Sequence, residues 1–156
     1  MISFTDNGAA TVRPAAPADL PAIEQLLTDS SLPLAGVKDC LANFVVADAD
    51  GQIVGVAGLE ICCDDALLRS VAVNPEWRSK GVGRAVVTRA IAEAESRGLR
   101  ALYLLTTTAE HYFPSFGFRK IDRAEVPDDV RATEEFTTAC PASATVMARA
   151  LRPASQ

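Results

Sequence analysis

The most informative residues stand at positions 78–83 (RSKGVG), between a predicted strand that ends at Val73 and a predicted helix that begins at Val82. The backbone N–H groups of a helix N-terminus have no partners within the helix, and together with the helix dipole they bind anions. Two glycines at alternate positions let such amides approach a phosphate without a Cβ between them. The pattern therefore predicts a pyrophosphate-binding loop, made of Arg78, Ser79, Lys80, Gly81, Val82, Gly83 and Arg84.

Two other nucleotide-binding patterns do not fit this loop. It has no Gly-Lys-Ser/Thr ending, which a P-loop requires, and it lacks the three-glycine spacing of the dinucleotide-binding loop. A glycine-softened turn that simply leads into a helix is the structural alternative. The strand–turn–helix setting favours the binding loop over that alternative.

Composition limits the class of protein. The 156 residues are 49% hydrophobic and 22% charged, which predicts one globular domain over residues 1–156, with 153–156 as a frayed tail. The formal net charge of −5 argues against a nucleic-acid partner, because such binding needs a basic surface. The sequence shows no signal peptide and no apolar stretch near the ~20 residues of a membrane span, so we expect a cytoplasmic protein without a membrane partner.

The four cysteines do not indicate a metal site. No Cys-x-x-Cys spacing occurs, and the single histidine, His111, has no histidine partner, so we expect no bound metal. The ordinary interpretation is a set of small buried or turn thiols. The alternative is a thiol site for a soft ion such as trivalent arsenic, formed by Cys62 or Cys63.

Hydrophobic periodicity and turn signals predict the order β-α-α-β-β-β-α-β-α-β-α-β, a mixed α/β sheet with helices on both faces. Asp19 is expected to cap the first helix, and residues 48–51 are expected to form a hairpin turn. Gly55 and Gly58 within a strand suggest a bulge or a close backbone approach. The predicted strands cover residues 11–15, 44–47, 52–60, 66–73, 101–106, 118–121 and 144–151, and the later predicted helices cover 37–42, 82–97, 109–116 and 127–136.

The Arg78-x-x-Gly81-x-Gly83 loop resembles the Gln/Arg-x-x-Gly-x-Gly/Ala motif of the GNAT acetyltransferases, which bind acetyl-CoA. The resemblance covers most of the chain, and it implies a GNAT-like fold with a splayed central sheet and acetyl-CoA as co-substrate. Residues 68–73 (LRSVAV) are similar to the family's fourth strand, which splays from the fifth strand at a bulge and admits the pantetheine arm. The resemblance implies that Val71, Ala72 and Val73 contact this arm, through the backbone groups of the two valines.

Residues 109–118 (AEHYFPSFGF) are similar to the family's second CoA-side motif, which ends in Gly-Phe. Many members carry a tyrosine four residues before that glycine, and it protonates the leaving thiolate. Phe113 occupies that position here, and Tyr112 lies one residue earlier, which is roughly 100° around an α-helix. The resemblance therefore makes Tyr112 a candidate acid if the helix is rotated and places Phe113 at the cofactor. Tyr112 in the pocket wall or the core is the alternative.

The same region indicates a subfamily. Residues 104–113 (LLTTTAEHYF) are similar to the Leu-Thr-Thr stretch and aromatic pair of N-acetylglutamate synthases. The whole chain more closely resembles the small N-acetyltransferases of arsenic-resistance operons (ArsN type), in residues 55–60, 67–73, 104–108 and 140–144. This resemblance implies a small amino-acid-like amine as substrate, such as an arsenic-containing glutamate mimic.

Acetyl transfer needs a group that removes a proton from the amine, and a carboxylate suits this task. We interpret Glu60 as this base and Arg69 as a clamp on a substrate carboxylate, because the two lie on adjacent strands of a predicted hairpin and guanidinium groups bind carboxylates bidentately. A cross-strand ion pair without a catalytic role is the alternative. Further substrate-binding candidates at a strand's carboxyl end, where open sheets bind ligands, are Thr106, Thr107 and Thr108.

Two other functions remain open at this point. One is a peptide or protein Nα-acetyltransferase, which needs an open groove for an extended chain. The other is a non-catalytic module that binds acyl-CoA or trivalent arsenic, an interpretation that Phe113 in place of tyrosine leaves open. Many GNAT enzymes dimerise, so a homodimer is compatible with the resemblance.

Overall fold

The computed structural model describes residues 10–107, 109–133, 136 and 144–151. Thr108, the segment 140–143 and the tail 153–156, on which some of the sequence predictions fall, lie outside the described residues. The strands are β1 Thr11–Pro14, β2 Phe44–Ala49, β3 Gln52–Cys62, β4 Asp65–Val73, β5 Ala101–Thr106, β6 Arg119–Ile121 and β7 Thr145–Ala150. The α-helices in these residues are α1 Leu20–Asp29, α2 Val37–Cys40, α3 Val82–Ser96 and α4 Asp128–Arg131.

The strands form a mixed sheet in the order β1-β2-β3-β4-β5-β7-β6. The β4–β5 pair is parallel, whereas β1–β2, β2–β3, β5–β7 and β6–β7 are antiparallel. This arrangement confirms the predicted mixed α/β class and the predicted sequence of seven strands. In the described part of the chain, no helix is both long enough and apolar enough to cross a bilayer.

Two compact units can be distinguished. Unit 1 comprises Met1–Gly58 and Ser70–Ala90, and unit 2 comprises Leu59–Arg69 and Ile91–Gln156. The strands β3 and β4 each contribute residues to both units. The single domain over residues 1–156 stays a prediction.

Unit 1 has a core between α1 and the sheet. Ile23, Leu26 and Leu27 repeat at helical spacing and are buried, so α1 presents one apolar face. This face packs against a cluster that contains Val37, Phe44, Val46, Val56 and Ala72. Removal of such buried apolar surface from water is the main source of stability for a helix of this length.

Two glycines of β3 allow close packing in unit 1, as the sequence suggests. A Cβ at Gly58 would overlap the ring of Phe44, which is buried. A Cβ at Gly55 would lie 2.5 Å from Cγ1 of Val82, the first residue of α3. The start of α3 can therefore rest directly on β3 only because position 55 has no side chain.

Unit 2 has its own apolar cluster, formed by Leu67, Ile121, Val126, Val130, Phe136, Val146 and Ala148. Cys62, Tyr103 and Leu105 pack against it from partly exposed positions. The alternation of buried and half-buried residues along β5 is the pattern of a strand with one better-covered face. This cluster supports the strand whose carboxyl end carries the predicted threonines.

Two predicted turns and caps are wrong in detail. The Asp19 side chain does not cap α1; its carboxylate accepts hydrogen bonds from Arg13 (2.8 and 3.1 Å) and from the Ala16 amide (2.7 Å). The guanidinium is a stronger partner than a helix amide, which explains the difference. The hairpin turn consists of Asp50 and Gly51, both with positive φ, because β2 continues to Ala49.

The helix predicted at 109–116 is wrong, and the helix predicted at 127–136 is observed in part. Residues 109–116 form single turns and a 3-10 helix at Phe113–Phe116, because Pro114 lacks an N–H and restricts the residue before it. Of the helix predicted at 127–136, the α-helix Asp128–Arg131 is observed, and residues 134 and 135 lie outside the described residues. Thr133 ends this helix, since its hydroxyl donates to the Val130 carbonyl and accepts from the Phe136 amide.

Candidate active site

The loop that follows β4 in unit 1 has a backbone suited to an anion. Asn74 starts it by accepting a hydrogen bond from the Glu76 amide at 2.9 Å, and a 3-10 turn covers Pro75–Trp77. Ser79 and Gly81 then adopt positive φ values of 68° and 83°. Left-handed residues within such a loop turn successive N–H groups toward one side, which is the geometry of an anion-binding nest.

The loop leads directly into α3. The Ala85 amide donates to the Gly81 carbonyl at 3.0 Å, so the first helical bond starts from this glycine. The amides of Val82 and Gly83 precede that bond and lie at the positive end of the helix dipole. No acidic residue stands in the first turn. A Cβ at Gly81 would meet nothing within 4 Å, so glycine is needed here for its backbone conformation and for open approach.

Three cations surround this loop. Arg78, Lys80 and Arg84 are exposed. The Lys80 ammonium lies 6.0 Å from the ring centroid of Trp77, the one tryptophan of the sequence, at the outer limit of a cation–π contact. The negative charge of Glu76 stands in the same turn, and the cations still outnumber it.

β4 carries an irregularity ahead of the loop. Ser70 has a φ of 59° within the strand, which is unusual for a residue with a side chain and breaks the regular pleat. Val71 and Val73 beyond it are half-buried, whereas Ala72 is buried. Ser70 is therefore the residue at which β4 carries the bulge that the family resemblance implies.

In unit 2, β4 pairs with β5 over only three residues, Asp65, Ala66 and Leu67. The unit contains two further β4 residues, Leu68 and Arg69, and β5 continues to Thr106. On its other edge β5 pairs with β7 along its whole length, from Ala101 to Thr106. The parallel pairing therefore ends inside the unit, as the expected splay of the two strands requires.

Glu60 and Arg69 are in contact in unit 2. Nη1 of Arg69 donates to Oε1 of Glu60 at 3.0 Å. The Arg69 side chain has no exposed surface, whereas 22% of the Glu60 side chain is exposed. The predicted proximity is observed, and the carboxylate is the member of the pair that a solute can reach. The catalytic and clamp roles stay predictions.

Thr106 and Thr107, two of the threonines predicted to bind substrate, lie in different environments at the end of β5. The Thr106 hydroxyl accepts a hydrogen bond from the Ala109 amide at 2.9 Å and so closes the turn after the strand. Thr107 is exposed in a bend. The first of these hydroxyls has a structural task, and the second is available to solutes.

An unpredicted contact lies beside this turn. Thr145, the first residue of β7, is the partner of Thr106 in the β5–β7 register. Its hydroxyl donates to Oε2 of Glu110 at 3.0 Å. The sequence does not indicate this contact, because the two residues are 35 positions apart. Only the register of β5 against β7 brings them together.

Tyr112 and Phe113 belong to an aromatic cluster in unit 2. Phe113 is only 6% exposed, whereas Tyr112 is 39% exposed and packs edge-on against Phe113 and Phe116. Because the segment is not an α-helix, the offset of 100° between the two residues does not apply. Arg149 fixes the end of the cluster, since its Nε donates to the Phe116 carbonyl at 2.7 Å.

Cys62 and Cys63 occupy different environments. Cys62 is half-buried at the end of β3, and Cys63 is exposed in the following turn. A hydrogen bond with Asp129 and the charge of that carboxylate raise the pKa of the Cys63 thiol. Within the described ranges, no group of three His, Cys, Asp or Glu residues could hold a metal ion.

Comparison with known proteins identifies relatives. Residues 41–120 match the family model described as "Acetyltransferase (GNAT) domain". The amino-acid acetyltransferase of Pasteurella multocida is 28% identical over 130 residues, which is 78% of this chain and 30% of that protein. The chain thus spans only about a fifth to a third of the length of the amino-acid acetyltransferases that it matches.

Two solved structures are similar to this fold. The N-acetylglutamate synthase of Neisseria gonorrhoeae, complexed with coenzyme A and N-acetyl-glutamate, superposes with a TM-score of 0.80 at 22% identity, over 94% of this chain and 36% of that one. Rv2747 of Mycobacterium tuberculosis, solved in complex with CoA, superposes with a TM-score of 0.77 at 27% identity, over 90% of this chain and 99% of that one.

Proposed function

Since the chain belongs to the GNAT family of acetyl-CoA-dependent N-acetyltransferases, we propose that it transfers an acetyl group from acetyl-CoA to the amino group of a small amino acid or a similar amine. The observation that carries this proposal is the loop of residues 78–84, with Ser79 and Gly81 in left-handed conformations at the start of α3. The similarity to amino-acid acetyltransferases supports the acceptor class.

The loop fits the pyrophosphate of the co-substrate. Open space at Gly81 and the amides at the start of α3 suit a compact dianion, and Arg78, Lys80 and Arg84 add attraction at longer range. The backbone groups of Val71 and Val73, beyond the bulge at Ser70, are proposed to bind the pantetheine arm. Acetyl-CoA supplies an activated thioester when it is bound.

Glu60 is the proposed base. Its Oε1 accepts the hydrogen bond from Arg69, so Oε2 is the atom assigned to take the proton of the acceptor ammonium, directly or through one water. Partial exposure of this carboxylate supports the assignment. The buried Arg69 then holds Glu60 in place, a positioning role that its lack of exposed surface favours over the clamp role suggested by the sequence.

Tyr112 is the proposed acid for the departing thiolate. Among the described residues of the motif 109–118, Tyr112 is the tyrosine. It is partly exposed, and its ring packs against two phenylalanines. Phe113 is proposed to contribute an apolar wall to the cofactor site. Thr107 and Thr108 are proposed to contact the acceptor, together with Thr106.

A finer proposal for the acceptor is an arsenic-containing glutamate mimic. It is supported only by the sequence resemblance of residues 55–60, 67–73, 104–108 and 140–144 to ArsN-type acetyltransferases. A carboxylate-bearing amino acid and its arsinic or phosphinic mimic present the same ammonium and similar anionic oxygens. One substrate panel can therefore test both the general and the finer proposal.

The test is release of free CoA by the purified chain with acetyl-CoA and a panel of acceptors. The panel contains the amino acids, phosphinic and arsinic glutamate mimics, and short peptides with free N-termini. Turnover of an amino acid or mimic above the peptides supports the proposal. Faster turnover of peptides would favour Nα-acetylation instead, and no release with any acceptor would favour a module that binds acyl-CoA without catalysis.

A further inference from the structure

One carboxylate of unit 2 stands out by its environment. Glu110 lies four residues after the end of β5, in the turn that the Thr106 hydroxyl ties to the strand through the Ala109 amide. The Thr145 hydroxyl holds Oε2 of Glu110 at 3.0 Å. Thr106 and Thr145 belong to paired strand ends, so the first holds the backbone of the turn and the second holds the carboxylate itself.

Three other buried or half-buried carboxylates of unit 2 each pair with an arginine. Glu60 binds Arg69, Asp65 binds Arg100, and Glu95 binds Arg149. Glu110 is half-buried, and its only partner among the residues that the structure describes is the neutral hydroxyl of Thr145.

A half-buried carboxylate held by a single hydroxyl has incomplete charge compensation. A cation that approaches it gains a charge-assisted hydrogen bond and removes that imbalance. The side chain stands at the carboxyl end of a strand, where open α/β sheets bind ligands. The position therefore suits the ammonium group of a small solute.

We propose that Glu110 binds the ammonium group of the acceptor and thereby selects amino acids over compounds that lack a positive charge. This inference rests on the proposed function, because it assigns a residue to the acceptor of that reaction. Thr145 is a positioning residue, which acts by orienting the Glu110 carboxylate. Glu60 remains the group that removes the proton, so Glu110 governs acceptor affinity and not the chemical step.

The experiment measures steady-state kinetics of the full chain with L-glutamate, or with the amino acid of the panel that reacts fastest. Glu110→Gln keeps the shape and the acceptor oxygen for Thr145 but removes the charge. It should raise the KM for the amino acid about tenfold or more, while the KM for acetyl-CoA and kcat change less than about twofold. Thr145→Val should cause a smaller rise, and the double variant should match Glu110→Gln alone, because the threonine acts through the carboxylate.

A deamino analogue isolates the ammonium contribution. For L-glutamate the analogue is glutarate, which binds without an ammonium group and cannot be acetylated. The wild type should bind glutamate more tightly than glutarate, and Glu110→Gln should reduce this ratio about tenfold. Asp128→Asn removes an exposed carboxylate of the same unit and should leave every constant unchanged.

The outcomes separate the two proposals. An active wild type with an unchanged glutamate-to-glutarate ratio in Glu110→Gln would overturn the role of Glu110 and leave the proposed function standing. An equal rise in KM for Asp128→Asn would also overturn the role of Glu110, because the rise would then follow from the change in net charge. No CoA release by the wild type with any acceptor would overturn the proposed function, and this inference with it.

Discussion

The Glu60–Arg69 pair makes a prediction that separates a catalytic carboxylate from a structural one. In the wild type, Nη1 of the fully buried Arg69 lies 3.0 Å from Oε1 of Glu60, and Glu60→Gln replaces this charged partner with a neutral one. Removal of one partner from a buried ion pair costs about 3–5 kcal/mol. The 22% exposure of Glu60 and the remaining amide oxygen reduce the expected cost to about 2 kcal/mol. For a chain of this size that corresponds to a fall in Tm of about 4–8 °C.

The activity should fall much more than the stability. If Oε2 of Glu60 takes the proton of the acceptor, Glu60→Gln should lower kcat/KM about 10²–10⁴-fold. The assay is CoA release at a temperature at which thermal melts show the variant fully folded, over a range of pH.

Asp65→Asn is the matched control. Asp65 is also a buried carboxylate of unit 2 paired with an arginine at 3.0 Å, and it has no assigned role in the reaction. It should lower the Tm by less, because its partner Arg100 is 69% exposed, and it should leave kcat/KM within about twofold. Full activity of Glu60→Gln at every pH would refute the reasoning, and so would an equal loss of activity in Asp65→Asn.

Arg69→Met distinguishes the two roles of the arginine. A positioning role predicts a large fall in kcat, because the base loses its fixed orientation. A clamp on the substrate carboxylate predicts instead that KM for the acceptor rises by orders of magnitude. The absence of exposed surface on Arg69 leads us to expect the fall in kcat.

Three further predictions concern the loop, acid stability and thiol reactivity. Gly81→Ala and Gly98→Ala both place a Cβ in open space at a positive φ, so each should lower the free energy of unfolding by about 1 kcal/mol. Only Gly81→Ala should weaken the binding of acetyl-CoA in an equilibrium titration, and equal Kd values for the two variants would contradict the loop assignment. Hydrogen bonds from the Arg13 guanidinium lower the pKa of Asp19 below its ordinary value of 3.8. The Asp19 carboxylate therefore stabilises the fold fully above pH 3.8, and this stabilisation is lost as the pH falls through the lower pKa of the folded state. Urea melts from pH 5 downward should therefore show a steeper loss for the wild type than for Asp19→Asn, and parallel curves would contradict this. Asp129→Asn should speed alkylation of Cys63 at pH 8, measured by peptide mass spectrometry, because the carboxylate raises the pKa of the thiol; an unchanged rate would remove that contact as the cause.

The sequence predicted the elements whose signals are local. β5 has the predicted bounds, Ala101–Thr106, because it is a continuous apolar run that ends in threonines. The first residue of α3, Val82, was also predicted, because glycine and the apolar stripe mark the same boundary. The loop ahead of it follows from the same signals, so its place between β4 and α3 could be predicted from the sequence, and its cofactor role stays a prediction.

The residues proposed to bind the acceptor depend on contacts between distant parts of the chain. Thr145 meets Glu110 only because β7 pairs with β5 in one register, and a shift of one residue would turn the threonine to the other face. Asp19 would be a normal helix cap if Arg13 were not beside it. The 3-10 geometry at Phe113–Phe116 results from Pro114, which disrupts a helical pattern as short as this one. Such features need the fold before they can be seen.

The central claim is that the loop at the start of α3 binds acetyl-CoA, and thermal melting of the purified chain with acetyl-CoA tests it most directly. A ligand at about 100 times its Kd stabilises the folded state by about 2.7 kcal/mol, which for a chain of this size is a rise in Tm of about 5–10 °C. We expect a rise in this range for the wild type at saturating acetyl-CoA and a smaller rise for Gly81→Ala at the same concentration. An unchanged Tm of the wild type at millimolar acetyl-CoA would contradict the account.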